Sequence, residues 1–208
     1  MDRYQKQFLL YAQAEFAAHH HIDSSQVLDI YITALKETYP NFTINPITDF
    51  SGHQLLLSEI KTLLGISTIL HKNKEYTKVR PLLALIEQYL VKQANITIEL
   101  EQYAVLYPIA TDLYVQCLLS MKDHKSALDY ANKGINCCTT YGKLFHFMNL
   151  SFSKGLALIA LDNIIEGKEI LRNTLFAAEA TETEEIIAYY QERLYSLYGE
   201  AFLQEVMS

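Results

Sequence analysis

The stretch Lys122-Asp123-His124-Lys125-Ser126-Ala127-Leu128-Asp129-Tyr130 decides the fold of this chain. Its first three residues form a polar turn signal between two apolar stretches that have the periodicity of helices. Two further turns of this kind stand at Lys74-Glu75-Tyr76 and at Asp162-Asn163-Ile164. We therefore interpret the chain as a series of helical hairpins.

When the three turns are aligned, positions at fixed distances from them stay apolar or small. These positions are Leu70, Leu118 and Leu158 before the turns, and Val79, Ala127, Gly167, Leu83, Ala131 and Leu171 after them. The turns are 48 and 40 residues apart, which is long for a tetratricopeptide unit but suits two-helix repeats with variable connections. The pattern predicts an all-α, right-handed solenoid of tetratricopeptide-like hairpins with about nine helices. Such stacks bind partners and rarely catalyse reactions.

A stretch of weak periodicity near residue 50 predicts a boundary. Pro40 and Pro46 bracket a short polar and apolar mixture, and Ser51-Gly52 closes it. We expect residues 1–50 to form an N-terminal helical hairpin with its connection. Residues 51–208 would form the repeat domain, which ends in a capping or dimerisation helix.

Several residues predict where individual helices begin and end. Asp23 and Thr97 are candidate N-caps, and Thr181-Glu182-Thr183-Glu184 has the pattern of a capping box. Pro81 is expected in the first turn of its helix, where proline is tolerated. Pro108 removes a backbone donor, so a kink or a restart is expected near Tyr107.

Composition favours a packed protein that works away from membranes and nucleic acids. Half of the 208 residues are hydrophobic, and no apolar run approaches the roughly 20 residues that cross a bilayer. The first residues lack the pattern of a secretory signal, so a cytoplasmic location is expected. The formal net charge is −7, and Lys and Arg are scattered, which disfavours direct contact with a phosphate backbone.

No motif predicts catalysis, a metal site or another cofactor. Cys117, Cys137 and Cys138 have neither a disulfide framework nor metal-ligand spacing, so we expect reduced, buried thiols. The run His19-His20-His21 is interpreted as a solvated cluster at a helix end, because adjacent residues on a helix point about 100° apart. The chain contains no phosphate loop, nucleophile elbow or zincin helix.

If the first helix of each repeat lines the inner surface, a candidate peptide-binding groove can be counted from the aligned positions. Its predicted residues are Lys61, Leu64, Thr68 and His71 in the first repeat, Asp112, Gln116 and Leu119 in the second, and Asn149, Phe152, Leu156 and Ile159 in the third. The side-chain amides of Gln116 and Asn149 could clamp an extended peptide backbone. The alternative is that these residues pack or are solvated on helices whose phase differs by one position.

The last predicted helix carries more apolar surface than one packing seam requires. Its stripe is Ile186, Tyr190, Leu194, Leu197 and Ala201, and Tyr189, Tyr195 and Phe202 lie off this stripe. The last helix of a solenoid must cap the stack or pair with another subunit. We therefore expect a homodimer with these three aromatic residues at its interface.

The segment from about Leu55 to Gly199 resembles the C-terminal helical-repeat domain of Rgg-type transcription regulators of Gram-positive bacteria. The resemblance rests on Tyr107-Pro108 with Leu113-Tyr114, on Lys122 to Tyr130, and on Lys154-Gly155-Leu156-Ala157-Leu158. It implies a cupped, dimeric repeat domain that binds a short signalling peptide in its concave groove. In that family this domain controls an N-terminal helix-turn-helix.

A DNA-binding domain is the feature of that family that this chain lacks. A helix-turn-helix needs a basic recognition helix, whereas Ser24 to Tyr39 contains one lysine and no arginine. The domain is therefore either removed from this chain or naturally absent. The other hypotheses are a protein–protein interaction scaffold without a peptide signal, and a regulator in trans that forms mixed dimers with a full-length relative.

Overall fold

The computed structural model describes residues 1–20, 22–48, 50, 54–93, 100–142, 146–181 and 184–207. Within these ranges the chain is all-α, as the sequence predicts, and the only β-type pairing is an isolated bridge between Ile44 and Ile47. The described helices are α1 (Arg3–His19), α2 (Ser24–Thr38), α3 (Leu57–Lys72), α4 (Tyr76–Gln93), α5 (Leu100–Ser120), α6 (His124–Tyr141), α7 (Phe147–Ala160), α8 (Ile164–Thr181), α9 (Glu184–Tyr198) and α10 (Glu200–Met207).

The chain divides into two compact units, Met1–Cys117 and Leu118–Ser208. In unit 1, α1 packs on α2 and α3, α2 packs on α3, and α3 packs on α4. In unit 2, α7 packs on α6 and α8, and both α9 and α10 pack on α8. The boundary that the sequence predicts near residue 50 stays a prediction.

The three aligned turns share one backbone geometry. Lys74, Lys122 and Asp162 are the non-glycine residues of the described chain with a positive φ, at 61°, 62° and 65°. Each donates its N–H to the carbonyl three residues earlier, and the next residue donates to the carbonyl five residues earlier at 2.9 Å. This is the Schellman arrangement, which satisfies the last carbonyls of a helix. The sequence alignment of the turns therefore identified a true structural repeat.

The nine aligned apolar or small positions are all buried, so the repeated pattern corresponds to core positions. They surround each turn because a helix brings residues three and four apart onto one face. In unit 2 one of them, Gly167, permits close packing of α7 and α8. A Cβ added to Gly167 would lie 3.0 Å from the carbonyl oxygen of Gly155 and 2.6 Å from Cγ1 of Ile159.

Three predictions about the helices need correction. The predicted final helix is two helices, since Gly199 has a φ of 83° and separates α9 from α10. Ten helices are therefore described instead of about nine. No restart occurs at Tyr107, because α5 continues through Pro108. Pro81 lies inside α4, beyond its first turn.

Asp23 caps α2, as the sequence predicts, by accepting the N–H of Ser25 at 3.0 Å. Gly142 follows α6 with a φ of 63°. Thr97 and the pair Glu182-Thr183, which are predicted to cap helices, lie outside the described residues.

Candidate functional site

Unit 1 contains a pocket of about 470 Å³ that is lined by residues of α1, α2, α3 and α5. Pockets of 300–1,000 Å³ are typical of ligand sites. Apolar side chains form most of the wall, and polar groups lie on α1, α2 and α3. The lining residues are Tyr11, Glu15, Ala18, His19, Tyr31, Lys61, Leu64, Gly65, Thr68, Ile69, Lys72, Val105, Leu106 and Ile109.

Helix α3 supplies the longest wall of the pocket. The predicted residues Lys61, Leu64 and Thr68 all line it, because positions i, i+3 and i+7 share one face of a helix. The structure thus brings these three residues to one wall, and their role in binding a peptide stays a prediction. His71 is not a lining residue, and its ring instead lies 5.5 Å from the ring of Tyr76.

Gly65 lets α2 approach α3 at the wall of the pocket. A Cβ added at this position would lie 2.5 Å from Cζ of Tyr31 and 3.0 Å from its hydroxyl oxygen. No real Cβ tolerates such a contact, so the absence of a side chain at residue 65 makes room for the ring. The ring of Tyr31 is buried, and its hydroxyl reaches α1.

A carboxylate and two phenols interact with one another on the α1 and α2 side of the pocket. The Tyr31 hydroxyl donates a hydrogen bond of 2.6 Å to Oε1 of Glu15. Burial, followed by the negative charge of Glu15 and a hydrogen bond to it, raises the pKa of Tyr11 to about 12. Burial and the same carboxylate raise the pKa of Tyr31 well above its usual value. Both phenols are therefore neutral donors at physiological pH.

Two of the predicted residues of the second repeat, Asp112 and Gln116, are hydrogen-bonded to each other. Asp112 is buried, and the side-chain amide of Gln116 donates a hydrogen bond of 3.0 Å to its Oδ1. Neither residue lines the pocket. This geometry does not support a peptide-binding role for Asp112, because its carboxylate is enclosed and already accepts a donor.

The predicted residues of the third repeat hold a tyrosine of α9. Oδ1 of Asn149 accepts a hydrogen bond of 2.5 Å from the hydroxyl of Tyr190. The buried ring of Phe152 stacks on the ring of Tyr190, with centroids 4.5 Å apart. The face of α7 that the sequence assigns to a peptide is thus occupied by α9, and the amide oxygen that would clamp a peptide already has a donor.

The three aromatic residues assigned to a dimer interface differ in their surroundings. Tyr189 and Tyr195 are 52% and 55% exposed. Phe202 is partly buried against the core of unit 2, where its ring lies 4.6 Å from that of Tyr198 and beneath the ammonium of Lys168. The predicted stripe of the last helix holds for Tyr190 and Leu194, which are buried, but not for Leu197, which is exposed.

The other candidate chemistries gain no support from the described residues. All three cysteines are buried and form no disulfide among the described residues, and burial raises the pKa of Cys117 to about 11, against the opposing effect of Arg80. That thiol is therefore protonated at neutral pH. In the described ranges no three His, Cys, Asp or Glu residues could hold a metal ion, and His21 lies outside them. None of the described helices could span a membrane.

A second pocket of unit 1, of about 560 Å³, lies between α4 and the connection from α2 to α3. Its lining comes from one helix and from Ile44, Asn45 and Ile47. The first pocket is the better candidate, since four helices fix its wall and a hydrogen-bonded carboxylate lies within it.

The sequence did not reveal the pocket residues outside α3. Tyr11 and Glu15 lie on α1, and Tyr31 lies on α2. One local signal was available: Gly65 interrupts an otherwise apolar helical pattern, and an isolated glycine within a helix often marks a close approach of another element. The partner in that approach cannot be identified from spacing alone.

The comparisons with solved structures identify the fold. A protein of Podosopora anserina, assigned to the kinesin light chains and built of nearly identical TPR-like repeats, superposes with a TM-score of 0.66 at 11% identity, covering 100% of this chain and 94% of that one. A single-substitution variant of it gives the same TM-score at 12% identity, with 100% and 93% coverage.

This chain therefore has a tetratricopeptide-like helical-repeat fold. No protein-family model and no curated protein matches it. None of these comparisons points to Rgg-type regulators, so that resemblance stays a sequence-based prediction.

Proposed function

We propose that this chain is a protein–protein interaction module whose unit 1 pocket holds a short segment of a partner protein. The single observation that carries the proposal is the pocket itself, which combines an apolar wall with polar groups from α1, α2 and α3. Binding sites of this kind gain affinity from apolar burial and specificity from a few fixed polar groups. The tetratricopeptide-like fold agrees with this role.

The chemistry of the pocket favours binding over catalysis. Among the described lining residues Thr68 carries the one aliphatic hydroxyl, and it donates to the carbonyl of Leu64 on its own helix at 3.0 Å. The phenols of Tyr11 and Tyr31 stay protonated and share Glu15. A nucleophile next to a free base, which acyl transfer would need, is not part of this arrangement.

A signalling peptide is the narrower version of the same proposal. Such a peptide presents the same chemistry as the tail of a partner protein, and it would occupy the same pocket. Sensing also requires two conformations with different affinities for the peptide. The role in transcription regulation that the sequence predicts rests on the resemblance to Rgg-type regulators, and the interaction module is the better supported function.

The proposal can be tested with peptides selected on the protein from a random displayed library. Thr68→Trp fills the pocket, and Val105→Ser removes part of its apolar wall at a residue that is 47% exposed. Thr33→Trp is the matched control, because Thr33 is exposed on α2 and does not line the pocket. Calorimetry should show weaker binding of the selected peptides to the two pocket variants and unchanged binding to the control.

The second variant keeps this test decisive if the first one unfolds. Circular dichroism of each variant establishes that its helices are intact before binding is compared. Equal affinity of the parent, Val105→Ser and Thr33→Trp for every selected peptide would place binding elsewhere and overturn the proposal.

Self-association through α9 is a separate part of the proposal. Tyr189 and Tyr195 support it, since large exposed aromatic side chains are common in interfaces. Sedimentation equilibrium at tens of micromolar should show a species of twice 23.9 kDa that dissociates in Tyr189→Ser/Tyr195→Ser. A monomer at all concentrations would overturn it.

A further inference from the structure

Two lysines mark the ends of the α3 wall of the pocket. Lys61 and Lys72 both line it and are exposed. Eleven residues are three helical turns, so the two side chains leave α3 on the same side, about 16.5 Å apart along its axis. Neither lysine makes an ion pair within the described part of the chain.

The charges of the pocket favour an acidic partner. Its titratable groups besides the two tyrosines are Glu15, His19, Lys61 and Lys72. Glu15 is half-buried and accepts a hydrogen bond from the hydroxyl of Tyr31, whereas both lysines are exposed. The lining thus has a positive balance in a chain whose formal net charge is −7. Oppositely charged groups on a partner would be steered to this place and held in register.

The lining also offers an apolar surface. Leu64 and Ile69 of α3 and Leu106 and Ile109 of α5 are all part of it. An apolar side chain is therefore the group that gains most free energy by entering, at about 25 cal/mol per Å² of surface removed from water.

An extended segment suits the length of the α3 wall. It rises about 3.3 Å per residue, so residues i and i+4 lie about 13.2 Å apart with their side chains on one side. The long side chains of Lys61 and Lys72 can close the remaining distance to the two ends of the wall.

We infer that the partner segment is an extended stretch with acidic residues at positions i and i+4 and an apolar residue at i+2. The two carboxylates bind Lys61 and Lys72, and the apolar side chain enters the pocket between them. This inference rests on the proposed function, because it names the chemistry of the segment that the pocket would hold.

The test uses the capped peptide Gly-Glu-Ser-Leu-Ser-Glu-Gly and two relatives. One relative has Gln in place of both Glu residues, and the other has Ser in place of Leu. Fluorescence anisotropy should show the acidic peptide binding about threefold to tenfold more tightly than the Gln peptide, as two exposed ion pairs allow. The peptide without Leu should lose most of its affinity, and the preference for Glu should shrink as salt rises.

Variants of the protein distinguish the contribution of the two lysines to peptide affinity from a general effect of net charge. Lys61→Gln/Lys72→Gln should remove the preference for the acidic peptide, and Lys61→Glu/Lys72→Glu should transfer it to a peptide with Lys at both positions. Lys36→Gln/Lys92→Gln changes the net charge equally, at exposed residues that do not line the pocket. This control should retain the preference.

The outcomes distinguish this inference from the proposed function. If library-selected peptides bind in the pocket but Glu and Gln peptides bind equally, the interaction module stands and the acidic segment is wrong. The same conclusion follows if the control variant loses the preference as fully as the variant of Lys61 and Lys72. If no peptide of any charge binds, both proposals fall.

Discussion

The first helices of two repeats, α3 in unit 1 and α7 in unit 2, present comparable faces. One face lines a pocket and the other is covered by a neighbouring helix. Along α3, Lys61 and Thr68 line an open pocket. Along α7, Asn149 and Phe152 are covered by Tyr190 of α9. The same repeat geometry therefore produces a pocket where neighbouring helices leave space, and a core where a neighbouring helix inserts an aromatic ring. Four predictions test this difference.

The largest effect is expected when the ring that closes the α7 face is removed. Tyr190→Ala deletes a buried side chain, its stacking on Phe152 and its hydrogen bond to Asn149. We expect a loss of about 3–5 kcal/mol in the free energy of unfolding, as for other buried aromatic residues. Urea denaturation followed by circular dichroism measures it.

The control for that experiment is the preceding residue. Tyr189→Ala removes an exposed ring of the same size and should cost about 0.5 kcal/mol or less. Equal losses from the two variants would mean that Tyr190 does not close the face of α7.

The next effect concerns the open face. Gly65→Ala places a Cβ within 2.5 Å of the Tyr31 ring, so we expect a loss of about 1–3 kcal/mol through overpacking. The cost should fall when Tyr31→Ala is also present, since the ring that the Cβ would meet is gone. A double-mutant cycle by urea denaturation measures this coupling. Additive losses would show that Gly65 and Tyr31 do not constrain each other.

A smaller effect, of opposite sign, comes from the turns that both units share. Lys122→Gly should stabilise the protein by about 1 kcal/mol, because a non-glycine residue in the left-handed region carries a steric cost. Lys133→Gly, in the middle of α6, should instead destabilise by about 0.8 kcal/mol. Thermal unfolding of the two variants should shift in opposite directions. A lower unfolding temperature for both variants would contradict the left-handed backbone geometry of the shared turns.

The smallest effect is the pH dependence of the free energy of unfolding that arises from Tyr11 in unit 1. The pKa of Tyr11 is raised from 10.0 to about 12, so the neutral phenol is favoured in the folded state. Its contribution to stability is fully present below pH 10 and is lost as the pH rises from 10 to 12. The parent should therefore lose stability more steeply over this interval than Tyr11→Phe.

An exposed tyrosine provides the comparison for this titration. Tyr195→Phe, which removes the hydroxyl of a 55% exposed tyrosine in unit 2, is measured in parallel as the comparison. Urea denaturation at pH 9, 10 and 11 gives the slopes. Identical slopes for the parent and Tyr11→Phe would mean that burial and the carboxylate of Glu15 do not raise the pKa of Tyr11.

The local features of the fold could be predicted from the sequence. The turns at Lys74, Lys122 and Asp162 were found because polar residues between apolar helical stretches are signals carried by neighbouring residues. The sequence also predicts one face for Lys61, Leu64, Thr68 and His71; the first three line one wall of the pocket, whereas His71 does not. The break at Gly199 was missed, since a glycine within a periodic stretch can stay in the helix.

The candidate site could be predicted only in part, because most of it is formed by contacts between distant residues. Tyr31 and Glu15 are 16 residues apart, and Tyr190 and Asn149 are 41 apart. An amide on a helix face has the same sequence pattern whether it binds a ligand or accepts a hydrogen bond from another helix. Asn149 was therefore assigned to a peptide, although its oxygen accepts the hydroxyl of Tyr190.

The most direct test of the account is a titration of the ¹⁵N-labelled protein with a library-selected peptide, followed by backbone amide chemical shifts. We expect the largest changes in chemical shift at α3 and α5 residues of the pocket, such as Gly65, Thr68 and Ile109. The chemical shifts of Asn149 and Phe152 should change little. The largest changes at Asn149 and Phe152, with none at the pocket, would contradict the claim that unit 1 carries the open face and unit 2 the closed one.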